Sequence, residues 1–228
     1  MTESSSRVSA PALEPGSFAM IRTLGGMAMI SGLILAMAYN ATFGMIQRNK
    51  EEAIRNAVFA VIPGAQTQAR FEVNEQGGLR TAQADSGGTP VFAGYDEAGN
   101  LVGVALGATG QGYGDVIRVL YGYSPEKQTI TGLKVLESKE TPGLGDRITK
   151  QPFLDNFLAM DVALNPDHSA PLHPIEFVKH GAKTESWQID GISGATISSK
   201  AIARMLREST ERLLPVIHAH VDELREVP

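Results

Sequence analysis

The pattern of the chain is dominated by one uncharged run: from Thr23 to Gln47 no Asp, Glu, Lys or Arg occurs, and LGGMAMISGLILAMAYNATFGMI is almost wholly apolar. Roughly 20 such residues at about 1.5 Å each cross a hydrocarbon core of about 30 Å, so the run predicts a transmembrane anchor over 23–47. A buried core helix shares this pattern, as does a secretory signal ahead of the small-residue site Ala36-Met37-Ala38. A signal seldom follows so long a polar lead, and we read the run as an uncleaved anchor. The lead itself, residues 1–22, is rich in Ser, Pro and Ala, lacks periodicity and predicts a mobile tail. Arg7 and Arg22 precede the run while Arg48, Lys50 and Arg55 follow it, so the positive-inside count leaves its orientation open.

Beyond the run, RNKEEAIRNAVFAVIPGA places Ile54, Val58, Val61 and Ile62 at helical spacing before Pro63-Gly64, which predicts a juxtamembrane helix within 48–69. The pattern then shortens into strands: FEV, GGL, PVFAGY and LVGVALGA, with a hairpin turn at Asp96 to Asn100, then two more strands around the turn at Ser124-Pro125. In QPFLDNFLAM, Phe153, Leu154, Phe157 and Leu158 fall on one helical face, and a Pro-rich loop follows. A last helix from about Ser198 carries Ile202, Met205, Leu206, Ser209 and Leu213 on one stripe, and Pro215 is expected to kink or end it. Strands first and helices later predict an α+β domain over 70–215, a mainly antiparallel sheet with flanking helices, then a C-terminal tail over 216–228.

Composition narrows the chemistry. The 228 residues include no cysteine, which excludes disulfides, iron–sulfur clusters, thiolate zinc, c-type haem attachment and a cysteine nucleophile. Five scattered histidines show no metal-ligand spacing, so no metal site is expected. With 20 Lys+Arg against 25 Asp+Glu and no concentrated basic run, nucleic acid is not an expected partner. Redox chemistry in such a chain needs an organic cofactor.

Three segments stand out: GATGQGYG (107–114), ESKETPGLG (137–145) and DGISGATISS (190–199). The glycines at 110, 112 and 114 do not form a dinucleotide fingerprint and suit a turn between strands. ETPGLG also reads as a turn, one able to lay backbone amides and Leu144 against a flat ligand. In DGISGATISS, Gly194 frees the backbone before a helix, and Ser193, Thr196, Ser198 and Ser199 crowd its start. Such a helix start can seat a phosphate, or Thr196 or Ser198 can simply cap it. Gly191-Ile192-Ser193-Gly194-Ala195 approaches the nucleophile elbow of serine hydrolases but lacks the final glycine. Trp187 is read as core packing, and His168, His173, His180, His218 and His220 as surface residues.

Asp190-x-x-Ser193-Gly194-Ala195-Thr196 resembles the flavinylation motif of the FMN-binding domain family, and GYGDVI and ETPGLGDRI resemble that family's upstream segments. The resemblance extends from about residue 24 to 215 and includes the single N-terminal anchor. It implies FMN bound covalently through a phosphoester to Thr196, the acceptor rather than a catalyst, so no catalytic residue is assigned. On this basis we expect cofactor contacts at Asp190, Ser193, Gly194, Ala195, Ser199 and Lys200, and the flavin ring against Glu140, Thr141, Gly143 and Leu144, with Gly112 and Tyr113 nearby. Within the family the chain resembles the G subunits of Rnf electron-transport complexes, and next the C subunits of sodium-pumping NADH:quinone reductases. This implies an electron carrier of an ion-translocating ferredoxin/NAD oxidoreductase, not catalytic alone, whose domain lies on the periplasmic side of a bacterial inner membrane. The implied partners are the other Rnf subunits, membrane lipid and an ApbE-type flavin transferase that uses FAD and Mg²⁺. The remaining alternative is an anchored binding module that carries no flavin.

Overall fold

The computed structural model describes residues 16–74, 76–81 and 87–226. Most of the expected N-terminal tail and the last two residues lie outside them. The chain divides into two compact units, one ending at Lys50 and one beginning at Glu51.

In the first unit the described residues form the greater part of one helix, α1 (Ser17–Val61), with its apolar side chains exposed. With a mean hydropathy of 1.7 over its most apolar window, this helix is long and apolar enough to cross a membrane.

The second unit opens with the last turns of α1. The helix stops at Val61, ahead of Pro63 and Gly64, which turn the chain, and the rest of the 48–69 segment is not helical because Thr67 already pairs in the sheet. The strands are β1 (Thr67–Val73), β2 (Leu79–Thr81), β3 (Thr89–Tyr95), β4 (Leu101–Gln111), β5 (Val116–Ser124) and β6 (Thr129–Glu137). A short helix, α2 (Gln151–Leu154), leads to β7 (Met160–Asp161), β8 (Glu176–Val178) and β9 (Gln188–Asp190). The chain closes with α3 (Thr196–Ala219) and α4 (Val221–Arg225). Strands β1 to β7 form one antiparallel sheet in the order β2-β1-β3-β4-β5-β6-β7, and β8 pairs with β9 in parallel. The fold is thus α+β, as expected. The turn at Asp96 is fixed by its carboxylate, whose Oδ1 accepts the amides of Ala98 and Asn100.

The central strands are covered on both faces, which is why they read as nearly continuous apolar runs. Val91, Ala93, Tyr95, Val104, Leu106, Val119 and Tyr121 belong to one core with Ile202, Met205, Leu206 and Leu213 of α3. Phe92, Ala105 and Leu120 face the other way, onto Ala57, Val58, Val61 and Ile62. Each buried Val or Ile there contributes about 1.5–3 kcal/mol. The last turn of α1 approaches closely because two cross-strand glycine pairs, Gly94 with Gly103 and Gly122 with Gly132, leave the sheet bare beneath it. A Cβ at Gly122 would collide with the Val61 carbonyl oxygen, which accepts the Thr131 hydroxyl.

Three expectations change here. Residues 216–226, expected as a tail, are mostly helical: α3 runs through Pro215 to Ala219, and Ile217 and Leu224 are buried. The Tyr95 hydroxyl donates to the Leu224 carbonyl at 2.8 Å, so packing outweighs the hydrogen bond that proline removes. In QPFLDNFLAM a 3₁₀ turn over Asp155–Phe157 breaks the helical period, burying Phe153 and Phe157 edge to face and leaving Leu158 exposed. Trp187 is half-buried and stacks on His173 at 4.0 Å rather than entering the core.

Candidate functional site

The start of α3 is built by Gly194, whose φ of +85° turns the chain so that Ala195 precedes the first helical residue, Thr196. No side chain caps this end, contrary to the capping role open to Thr196 or Ser198. The Thr196 side chain is exposed. The next hydroxyls serve the structure: Ser199 Oγ accepts the Ile192 amide at 3.2 Å and donates to the Ala195 carbonyl at 2.9 Å, and Ser198 Oγ donates to Glu140 Oε2 at 2.7 Å.

Glu140 is the point where the three glycine-rich segments meet. Its carboxylate, 7% exposed, takes the Ser198 hydroxyl on one oxygen and the amides of Tyr113 and Gly114, at 2.9 and 3.2 Å, on the other. Gly112 and Gly145 make room for it, since a Cβ at either position would collide with the carboxylate. Gly112 also closes the β4–β5 hairpin, its amide donating to the Asp115 carbonyl at 3.0 Å. Gly143 sits at φ +78° and turns ETPGLG so that Leu144 faces Gly194, whose Cβ position lies 3.7 Å from Leu144 Cδ2.

Between these segments lies a cleft of about 400 Å³ lined by Tyr113, Glu140, Thr141, Leu144, Gly145, Gly194, Ala195, Thr196, Ile197 and Ser198. That size is within the range of small-molecule sites, about 300–1,000 Å³. Tyr113, Leu144 and Ile197 give it an exposed apolar rim. Beside the hairpin, Lys139 Nζ lies 3.0 Å from Asp115 Oδ2. The Val116 amide and Lys139 hold the Asp115 carboxyl below its ordinary value, and Asp115 holds Lys139 above its own.

Of the residues singled out in the sequence, the cleft gathers Tyr113, Glu140, Thr141, Leu144, Gly194, Ala195 and Thr196. Gly112 and Gly143 shape its walls from behind. Ser193, Ser199, Lys200 and Asp190 do not line it. Ser193 is exposed and gives its carbonyl to Arg147 Nη1 at 3.0 Å, Ser199 is fully buried, and Lys200 Nζ lies 5.4 Å from the centre of the Phe177 ring. Asp190 lines a separate recess of about 90 Å³ with Arg147, Lys150 and His180. Its carboxylate accepts the Gly181 amide at 2.7 Å and lies 3.1 Å from His180 Nδ1.

Asn156, missed in the sequence, pairs with the backbone of Asp190 in both directions: Oδ1 accepts the Asp190 amide at 2.8 Å and Nδ2 donates to its carbonyl at 3.2 Å. Its only sequence signal is a polar residue inside an apolar segment. Ile197, Gly145 and the contact of Ser198 were also missed. Among the described residues no His/Cys/Asp/Glu group could hold a metal ion.

The residues present fit the group that the resemblance implies. A flat apolar ring suits Tyr113, Leu144 and Ile197, and the uncapped start of a 24-residue helix suits a phosphate.

The family model described as the FMN-binding domain matches residues 112–211. Over most of its length the chain is similar to proteins named as the G subunit of an ion-translocating oxidoreductase complex. That of Methanosarcina acetivorans is 30% identical, the match covering 84% of this chain and 92% of the relative. That of Cereibacter sphaeroides (strain ATH 2.4.9) is 31% identical, over 78% of this chain and 76% of the relative. Among solved structures, Shewanella oneidensis NqrC has the same fold, with a TM-score of 0.60 at 18% identity, covering 79% of this chain and all of that one.

Proposed function

The chain belongs to the family of G subunits of ion-translocating oxidoreductase complexes, and from that premise we propose that it is a membrane-anchored electron carrier holding FMN through a phosphoester to Thr196. The observation that carries this reading is the exposed Thr196 at the uncapped N-terminus of α3, on the edge of a cleft with an apolar rim. The first-turn amides and the positive end of the helix dipole stabilise a phosphate at that residue. Leu144 and Ile197 offer apolar surface to a ring, and the Glu140 bracket fixes the spacing between the ETPGLG turn and the helix start.

Thr196 is the acceptor in this account. Its Oγ forms a bond to the flavin-side phosphorus of FAD as the pyrophosphate breaks and AMP leaves, with the base and Mg²⁺ supplied by a flavin transferase of the ApbE type. Asp190 and Asn156 hold the acceptor loop in place for that enzyme. Once bound, FMN supplies one- and two-electron chemistry, and the protein's part is to bury and orient it. The uncharged stretch of α1 anchors the chain in the membrane and offers no Asp, Glu, Lys, Arg or His for an ion path, so ion movement belongs to the other subunits of an Rnf complex. The domain faces the side opposite the cytoplasm, the periplasm in a bacterial cell, where a covalent bond prevents loss of the cofactor.

Denaturing electrophoresis under ultraviolet light tests the reading. Chain co-produced with the transferase is expected to give a fluorescent band that the Thr196→Ala variant lacks. A band of equal brightness in that variant contradicts the assignment.

A further inference from the structure

Resting on the reading that the cleft holds FMN, we infer that the buried Glu140 carboxylate sets the flavin's reduction potential by opposing the negative charge that reduction adds. The carboxylate lines the cleft, is 7% exposed, and is the one acidic side chain among the lining residues. Its three partners, two backbone amides and the Ser198 hydroxyl, are neutral. The nearest cation in sequence, Lys139, is committed to Asp115 at 3.0 Å. Glu140 therefore brings a negative charge, held by neutral donors, to the wall of the cleft, where charges interact more strongly than in bulk water.

Reduction of the isoalloxazine by two electrons, from a reductant such as dithionite, with uptake of one proton from solvent leaves the ring one unit more negative. A fixed anion in the wall disfavours that product and lowers the potential. This is a role apart from the bracket, and the two can be separated because Ser198 is a hydroxyl. In Glu140→Gln the amide oxygen can still accept the Tyr113 and Gly114 amides, while the amide nitrogen donates to Ser198 Oγ, which turns from donor to acceptor. The shape and the hydrogen bonds persist and the charge is gone.

The test is a spectroelectrochemical titration of the purified full chain in detergent, made with the transferase, comparing wild type, Glu140→Gln and Asp115→Asn. Asp115 is a control: it removes one negative charge beside the same hairpin, but from a solvent-accessible carboxylate already paired with Lys139. The inference predicts a more positive midpoint potential in Glu140→Gln and a clearly smaller shift in Asp115→Asn. An unchanged midpoint in Glu140→Gln overturns it, as does an equal shift in the two variants. A Glu140→Gln chain that folds but takes up no flavin overturns it as well, because the charge would then serve assembly. Wild-type chain without flavin would instead contradict the proposed function itself, which keeps the two failures distinct.

Discussion

The hydroxyl of Ser198, in the first turn of α3, donates to the buried carboxylate of Glu140 at 2.7 Å, closing a bond between residues 58 positions apart. Through the same carboxylate the β4–β5 hairpin is tied to both, so one side chain fixes three walls of the cleft. Glu140→Ala is therefore expected to destabilise the full chain by about 2–3 kcal/mol, and Ser198→Ala, which removes one of the three bonds, by about 1–2 kcal/mol. Urea denaturation in detergent followed by circular dichroism measures both. Equal losses would mean that the hairpin amides contribute nothing.

Gly122 should be intolerant of any side chain. A Cβ there meets the Val61 carbonyl and the Thr131 hydroxyl together, so Gly122→Ala must push the last turn of α1 off the sheet, at about 1–3 kcal/mol by the cost of overpacking. Gly107→Ala, on the neighbouring strand with nothing within 4 Å, is the matched comparison and should leave the melting temperature nearly unchanged.

Asn156 should matter to modification rather than only to folding. Without its amide, the backbone N–H and C=O of Asp190 lose their partners and the loop leading to Thr196 loosens. Asn156→Ala is expected to cost about 2–3 kcal/mol and to lower the fraction of chain carrying covalent flavin. Fluorescence of the band relative to protein stain reads that fraction. Full labelling in a destabilised variant would remove Asn156 from the account of the acceptor loop.

Much of this site was legible because glycine-rich turns mark where a chain must bend tightly. GQGYG, ETPGLG and DGISGATISS stood out by composition, and the fold brings all three to one cleft. Their joining was not legible, since a bond from Glu140 to Ser198 leaves no local mark. Which residues of the helix start line the cleft was not legible for a geometric reason: successive helical residues point about 100° apart, so Ser198 turns to Glu140, Ser199 under the loop and Lys200 toward Phe177. The anchor was legible in an uncharged apolar run of sufficient length, and the strands in short apolar segments between turn residues. The bare patch under Val61 was missed because Gly94, Gly103, Gly122 and Gly132 look like ordinary strand glycines until cross-strand register pairs them.

Stability should vary with pH in a defined window. Asp115 titrates below its ordinary 3.8, so what its pairing with Lys139 contributes is present above that value and fades as pH falls through the lowered one. Lys139 titrates above its ordinary 10.5, so its part is present below that value and is lost as pH rises through the raised one. At the alkaline end burial pushes the Tyr123 phenol from 10.0 up to about 12, so the unfolded chain loses that proton first and stability falls between those two values. Urea midpoints across pH should show the alkaline fall, and Asp115→Asn should flatten the acid side. An acid limb unaltered in that variant would place its cause elsewhere.

The most direct measurement is the mass of the peptide containing Thr196, taken from chain made with the transferase. A peptide heavier by FMN less one water, with fragmentation placing the added mass on Thr196, is the predicted result. An unmodified Thr196 peptide, or flavin on Ser193 or Ser198 instead, would contradict the account.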